Sequence, residues 1–327
     1  MIDLHLHLDG SLPPALLLRL AEMEGVTLPA KDAEGLVPWL SAPIDCSSLN
    51  EYLEKFDLPV SCMQSPETIA AAAGGLVDEL SREGLVYAEI RFAPQQHMRK
   101  GLSQRQVVRA AVDGMEEACR RTGFQAGLIL CCMRGRENLQ ENLETVQVAS
   151  EFLGKGVCAV DLAGAEALFP TGEFGELFSL ARQLSVPYTI HAGEADGPES
   201  IRAALSFGTR RIGHGVRCIE DEKLVEELKE KQTTLEVCVI SNLQTKAIPE
   251  GTVHPILQLL RRGLRVTVNT DNMTVSQTTI AREFAYLRKL GMTPEEERQL
   301  LHNSADAAFL STEERETLKD RIDRTLA

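Results

Sequence analysis

The feature that most restricts how this chain can fold is an alternation that begins at Gly84. Apolar runs at Leu85–Phe92, Gln125–Met133, Val157–Leu162, Pro187–His191, Arg211–His214, Thr234–Ile240 and Leu264–Thr270 are each followed by a stretch with helical spacing. Helices are expected over roughly 103–121, 137–153, 173–184, 198–206, 220–230, 253–262 and 277–290. Most of the runs, such as Leu128-Ile-Leu130 and Val157-Cys-Ala-Val160, are apolar throughout. That suits parallel strands buried on both faces better than half-exposed antiparallel ones. The opening residues, Met1 to Gly10, supply one more strand. Eight strand–helix units joined by short turns predict an α/β fold, a (β/α)8 barrel.

Such barrels typically run to about 250 residues before insertions, and this chain has 327. The excess falls in two places. Two helices, near 294–309 and 312–325, follow the last strand. Residues of about 11–80 form a mostly helical insertion after strand one, within a single domain spanning 1–327. There Ser11 is placed to cap a helix that starts at the Pro13-Pro14 pair. Leu49, Tyr52, Leu53 and Phe56 recur at i, i+3, i+4 and i+7, one apolar helical face. Core packing explains that pattern as simply as a lid does. A lid is favoured by position, because insertions after a barrel strand lie above its C-terminal end.

Composition excludes several classes of function. The formal net charge is −14, which argues against a general binder of nucleic acid or anionic membranes. No apolar run reaches the ~18 residues of a membrane span, and no basic stretch precedes an apolar one at the N-terminus. The eight cysteines include no C-x-x-C pair. They read as reduced, mostly buried thiols of a complete cytoplasmic protein.

Chemistry is concentrated at the strand ends. On an extended strand His5, His7 and Asp9 share one face, with Ile2, Leu4, Leu6 and Leu8 on the other. Later strands end in Asp161-Leu-Ala-Gly164, His191-Ala-Gly-Glu194, Gly213-His-Gly215 and Asn269-Thr-Asp-Asn272. A barrel gathers all of these at its C-terminal mouth, where active sites lie. Imidazoles and carboxylates crowded together call for a cation. Zinc, one per chain, suits such ligands and acidifies a bound water to a pKa of about 7. His5, His7, His191 and Asp271 form the expected ligand set. His214, between two glycines, is placed to orient or deprotonate that water. Glu194 is left for general acid–base work; the lesser alternative is an N-terminal carboxylate of the next helix, favoured by its dipole. His97, His254 and His302 lack this context.

These stretches, together with Lys55-Phe-Asp57 and Cys131-Cys-Met-Arg134, resemble the adenosine deaminases of the metal-dependent amidohydrolase superfamily over nearly the whole chain. The resemblance implies a zinc barrel of purine salvage that hydrolyses adenosine and 2′-deoxyadenosine to inosine or deoxyinosine and ammonia. It implies that Glu194 protonates purine N1 as hydroxide adds at C6, and that His214 holds and helps deprotonate the attacking water. It also implies that the Gly164 N–H bonds N3, that Asp9 accepts from the ribose 5′-hydroxyl, and that Leu49, Tyr52 and Phe56 close over the substrate. Monomers and homodimers both fit the family.

Two positions depart from the family pattern. Asn272 stands where the family has an acid that contacts N7. N7 only accepts, so an amide donates to it in any state while a carboxyl must be protonated. Ala165 stands where the family usually has Asp. Two rival substrates remain within the superfamily: adenine, against which Asp9 and Asp161-Leu-Ala-Gly164 count, and a modified adenine nucleoside. A non-catalytic purine-binding barrel is the remote alternative, and the presence of every ligand and of Glu194 counts against it.

Overall fold

The computed structural model describes residues 1–43 and 46–326. Positions 44 and 45, inside the expected insertion, and 327 lie outside the described residues. The strands are β1 (Ile2–His7), β2 (Tyr87–Phe92), β3 (Gln125–Met133), β4 (Val157–Ala163), β5 (Ile190–Ala192), β6 (Arg211–His214), β7 (Thr234–Val237) and β8 (Arg265–Val268). All pair in parallel, as the unbroken apolar runs required. β1 to β4 and β5 to β8 form two continuous ladders. Parallel bridges Val160–Tyr188 and Leu6–Asp271 join the ladders and close the ring.

Helices α1 (Pro14–Glu24), α2 (Ala33–Leu40), α3 (Leu49–Leu53), α4 (Asp57–Ser61) and α5 (Pro66–Arg82) lie between β1 and β2. The rest are α6 (Gln104–Thr122), α7 (Leu139–Phe152), α8 (Gly175–Gln183), α9 (Pro198–Ser206), α10 (Glu222–Glu230), α11 (Val239–Gln244), α12 (Ile256–Arg261), α13 (Ile280–Lys289), α14 (Pro294–Ala307) and α15 (Thr312–Leu326). The last two are the expected closing helices. α5 buries Ile69, Ala72, Ala73, Leu76, Val77 and Leu80 in the core between barrel and helix ring. Each large apolar side chain so buried contributes about 1.5–3 kcal/mol. The reach over the mouth is confined to α3, the 3₁₀ turn Glu54–Phe56 and α4.

Three local expectations change. The first strand ends at His7, and Asp9 sits in the turn that follows. The ladder stops because the Gly10 carbonyl accepts the N–H groups of Thr274 and Val275. Ser11 does not cap α1. Its Oγ accepts the Met273 N–H at 3.0 Å, and Pro13, without a side-chain acceptor, precedes the helix. The run Thr234–Ile240 is a strand only to Val237. The buried Glu283 carboxyl oxygen accepts the Ile240 N–H at 3.1 Å, and the chain turns into α11.

Charged residues lie inside the barrel. Arg91 on β2 donates to Asp161 on β4 at 2.7 Å and to Glu236 on β7 at 2.8 Å. Arg211 on β6 donates to the other Glu236 oxygen at 2.7 Å and to Glu89 at 2.6 Å. All five are buried. Charges so far from water persist only when paired and hydrogen-bonded, and removing one partner costs about 3–5 kcal/mol.

Candidate active site

The seam between β8 and β1 places the first group of side chains. His7 N–H donates to the Asp271 carbonyl at 2.7 Å, and Asp271 N–H donates to the His5 carbonyl at 2.8 Å. Asp271 turns inward there with φ of 61°, as does His214 at the end of β6. The left-handed region is costly for residues with a Cβ and is held where surrounding structure dictates it. Gly213 leaves room for this crowding, since a Cβ there would lie 3.0 Å from His5 Cε1.

His5, His191, His214 and Asp271 each offer a ligand atom, and these atoms all lie within 4.8 Å of one another. His7 joins the group through its Nε2, 3.3 Å from His191 Nε2 and 3.4 Å from Asp271 Oδ1. The backs of two rings are fixed. His5 Nδ1 lies 2.9 Å from Glu236 Oε2, and His191 Nδ1 lies 2.8 Å from Asp161 Oδ2. Carboxylates behind imidazoles set the tautomer that presents Nε2 to a metal. His5 Nε2 is buried and without a hydrogen-bond partner, an orphan that a metal ion would satisfy. Burial holds the His7, His191 and His214 imidazoles below their usual range, the neutral form that ligates. Burial acts the other way on Asp271, but its bonds to the imidazoles outweigh it and keep it ionised. Three imidazoles and one carboxylate from His5, His7, His191 and Asp271 fit a divalent ion such as zinc.

Glu194 stands next to this group, with Oε2 3.4 Å from His214 Nε2. Burial first, then the charges of Asp271 and Glu166, push its carboxyl well above the usual range. That shift favours the proton-bearing form of the acid. Its backbone is pinned by Glu166, whose carboxylate accepts the N–H groups of Gly193, Glu194, Ala195 and Asp196 at 2.6–3.0 Å.

A cavity of about 350 Å³ opens over these groups. Its size suits a small ligand. The structure brings every singled-out residue except His5 to its lining: His7, Asp9, Leu49, Tyr52, Phe56, Gly164, His191, Glu194, His214, Asp271 and Asn272. His5 lies beneath. Asp9 is buried, its Oδ1 has no partner, and burial raises its pKa to about 6. Asn272 packs so tightly on the following turn that a Cβ on Gly10 would sit 1.8 Å from its Oδ1. Ala165 also lines the cavity, and nothing in the structure explains its replacing Asp. Of the other histidines, His97 bonds the Met63 carbonyl and His302 pairs with Asp323, both away from the cavity.

Sequence reasoning missed the supporting residues. Glu89, Arg91 and Glu236 were visible as charges inside apolar strand runs, which a buried strand tolerates only when they are paired. Ser241, Asn242 and Thr245 carried no signal, because they follow the expected strand Thr234–Ile240 in a stretch without strand or helix spacing. Their hydrogen bonds go to Asp271, His214 and Glu194 at 2.5, 3.0 and 3.0 Å.

The closed parallel barrel and the His/Asp cluster at the C-terminal ends of its strands are those of a hydrolase of the amidohydrolase type. Residues 1–325 match the family described as adenosine deaminase, and the chain belongs to that family. It is 50% identical over 327 residues to an adenosine deaminase of Haemophilus ducreyi, covering 98% of this chain and 95% of that protein. Among solved structures, the adenine deaminase of Arthrobacter aurescens superposes with a TM-score of 0.90 at 27% identity, covering 99% and 98% of the two chains. An Arabidopsis N6-mAMP deaminase superposes with a TM-score of 0.86 at 28% identity, covering 99% and 97%.

Proposed function

We propose that the chain hydrolyses adenosine and 2′-deoxyadenosine to inosine or deoxyinosine and ammonia. The observation that carries this reading is the buried Glu194 carboxyl, 3.4 Å from His214, beside the His/Asp cluster in one small cavity. Half of the residues are shared with the Haemophilus enzyme across nearly the full length.

His5, His7, His191 and Asp271 would hold one zinc ion, which when bound supplies a water acidified to a pKa of about 7. His214 accepts a proton from the attacking water. Glu194 donates its proton to N1 as the oxygen adds at C6, so the ring gains a neutral N–H instead of a charge. The proton held by His214 then passes to the leaving amine, and as ammonia departs the C6 hydroxyl proton returns to Glu194, leaving the carbonyl of the product. Gly164, at φ of 109°, turns its N–H to N3. Asn272 donates to N7, and Asp9 accepts the 5′-hydroxyl. Leu49, Tyr52 and Phe56 cover the sugar and exclude water. No described helix is long and apolar enough to cross a membrane. The free thiols of all eight cysteines suit a reducing cytoplasm.

The structural likeness to an adenine deaminase makes the free base a second candidate. Zinc-loaded protein presented separately with adenosine, deoxyadenosine, adenine and AMP distinguishes them. Turnover of the two nucleosides is the expected result; turnover of adenine alone would reassign Asp9 and the substrate.

A further inference from the structure

α11 is six residues long, yet with the threonine that follows it touches three reacting side chains. Ser241 Oγ donates to Asp271 at 2.5 Å, Thr245 Oγ1 donates to Glu194 Oε1 at 3.0 Å, and the Asn242 amide meets His214 Nδ1 at 3.0 Å. All are buried. We propose that Asn242 is a positioning residue whose Oδ1 accepts the Nδ1 proton of His214, leaving Nε2 bare on the side of Glu194. The inference rests on the deaminase reading above only for the roles of His214 and Glu194.

The two ends of a carboxamide are nearly the same shape, so the count of protons decides which end faces the ring. Whichever end of the Asn242 amide faces Nδ1, the other end occupies the place where Oδ1 is now buried without a partner, so that end does not decide the orientation. Nδ2 toward Nδ1 forces the ring hydrogen onto Nε2. That choice conflicts with the other end of the chain of contacts. Thr245 donates to Glu194 Oε1, so the proton that Glu194 gives to substrate resides on Oε2. Oε2 is the oxygen that lies 3.4 Å from His214 Nε2. Hydrogens on both atoms would oppose each other. Turning the amide over puts Oδ1 on the Nδ1 hydrogen, frees Nε2 to take a proton from water, and removes the opposition. The ring has little freedom to escape the choice, since His214 is buried with φ of 61°.

The test is the long-range ¹H–¹⁵N spectrum of His214 in ¹⁵N-labelled full-length protein, metal-free and zinc-loaded, together with steady-state kinetics of two variants. The wild-type spectrum is expected to show a protonated Nδ1 and a bare Nε2. Asn242→Asp, which can only accept, is expected to keep that tautomer and retain kcat within about tenfold. Asn242→Leu is expected to lose about 10–100-fold in kcat at nearly constant KM, the usual effect of removing a group that orients a reacting imidazole. A wild-type spectrum with the hydrogen on Nε2, or Asn242→Asp as impaired as Asn242→Leu, overturns the assignment. The wild-type spectrum decides even where a variant does not fold. It is read without substrate, so absent adenosine turnover would overturn the deaminase reading separately.

Discussion

The Tyr52 hydroxyl on α3 lies 2.6 Å from Ser276 Oγ on the loop after β8, with both side chains buried. That bond fastens the cover to the barrel beside Asp271 and Asn272. A neutral buried hydrogen bond is worth about 1 kcal/mol. Tyr52→Phe is therefore expected to raise KM for adenosine about 3–10-fold with kcat within twofold, measured by steady-state kinetics. An unchanged KM would mean that α3 is held by its apolar contacts alone.

Glu236 ties His5 to both buried arginines. Glu236→Gln leaves Arg91 and Arg211 short of a charge partner, at a cost of about 3–5 kcal/mol. The same change loosens His5, and loss of an outer partner lowers metal affinity about 10–100-fold. Thermal unfolding and zinc competition should both shift in that direction. A variant with wild-type melting temperature would show that water or rearrangement satisfies the arginines.

Glu283 is pushed up from 4.5 to about 8, chiefly by burial, which outweighs its bonds to Thr278 and the Ile240 N–H. Between these values the folded protein holds a proton that the unfolded chain has released. Stability therefore falls as pH rises from about 5 to 8, by on the order of 3 kcal/mol for this group. Glu283→Gln, uncharged throughout, should lack that part of the decline. Denaturation midpoints at pH 5 and pH 8 check it, and parallel declines in the two proteins would contradict it.

Asn272→Asp restores the acid usual in the family. A carboxyl donates to N7 only when protonated. The variant should retain activity at low pH and lose it as pH rises, where wild type stays flatter. Superimposable kcat/KM profiles would remove Asn272 from the N7 contact.

Most of the barrel could be read from the sequence, because parallel strands buried on both faces leave unbroken apolar runs. The strand-end histidines were legible for a related reason: the fold converts positions far apart in sequence into one mouth. Two kinds of feature escaped. The start of α11 was hidden because Thr234-Leu-Glu-Val-Cys-Val-Ile240 is rich in β-branched residues, while the acceptor of the Ile240 N–H, Glu283, lies more than forty residues away. Period-two spacing places Asp9 on the strand, because it does not reveal that Gly10 leaves the ladder for the loop after β8. In both cases a distant acceptor or donor overrides local propensity.

The central claim is that Glu194 supplies the proton to the purine. Its most direct test is the loss of the adenosine absorbance band with zinc-loaded wild-type protein and with Glu194→Gln, which keeps the shape and removes the acid. The account predicts steady deamination by wild type and a fall of at least about 100-fold in kcat for the variant, the scale of general acid catalysis, with zinc still bound. Comparable turnover by the two proteins would contradict it.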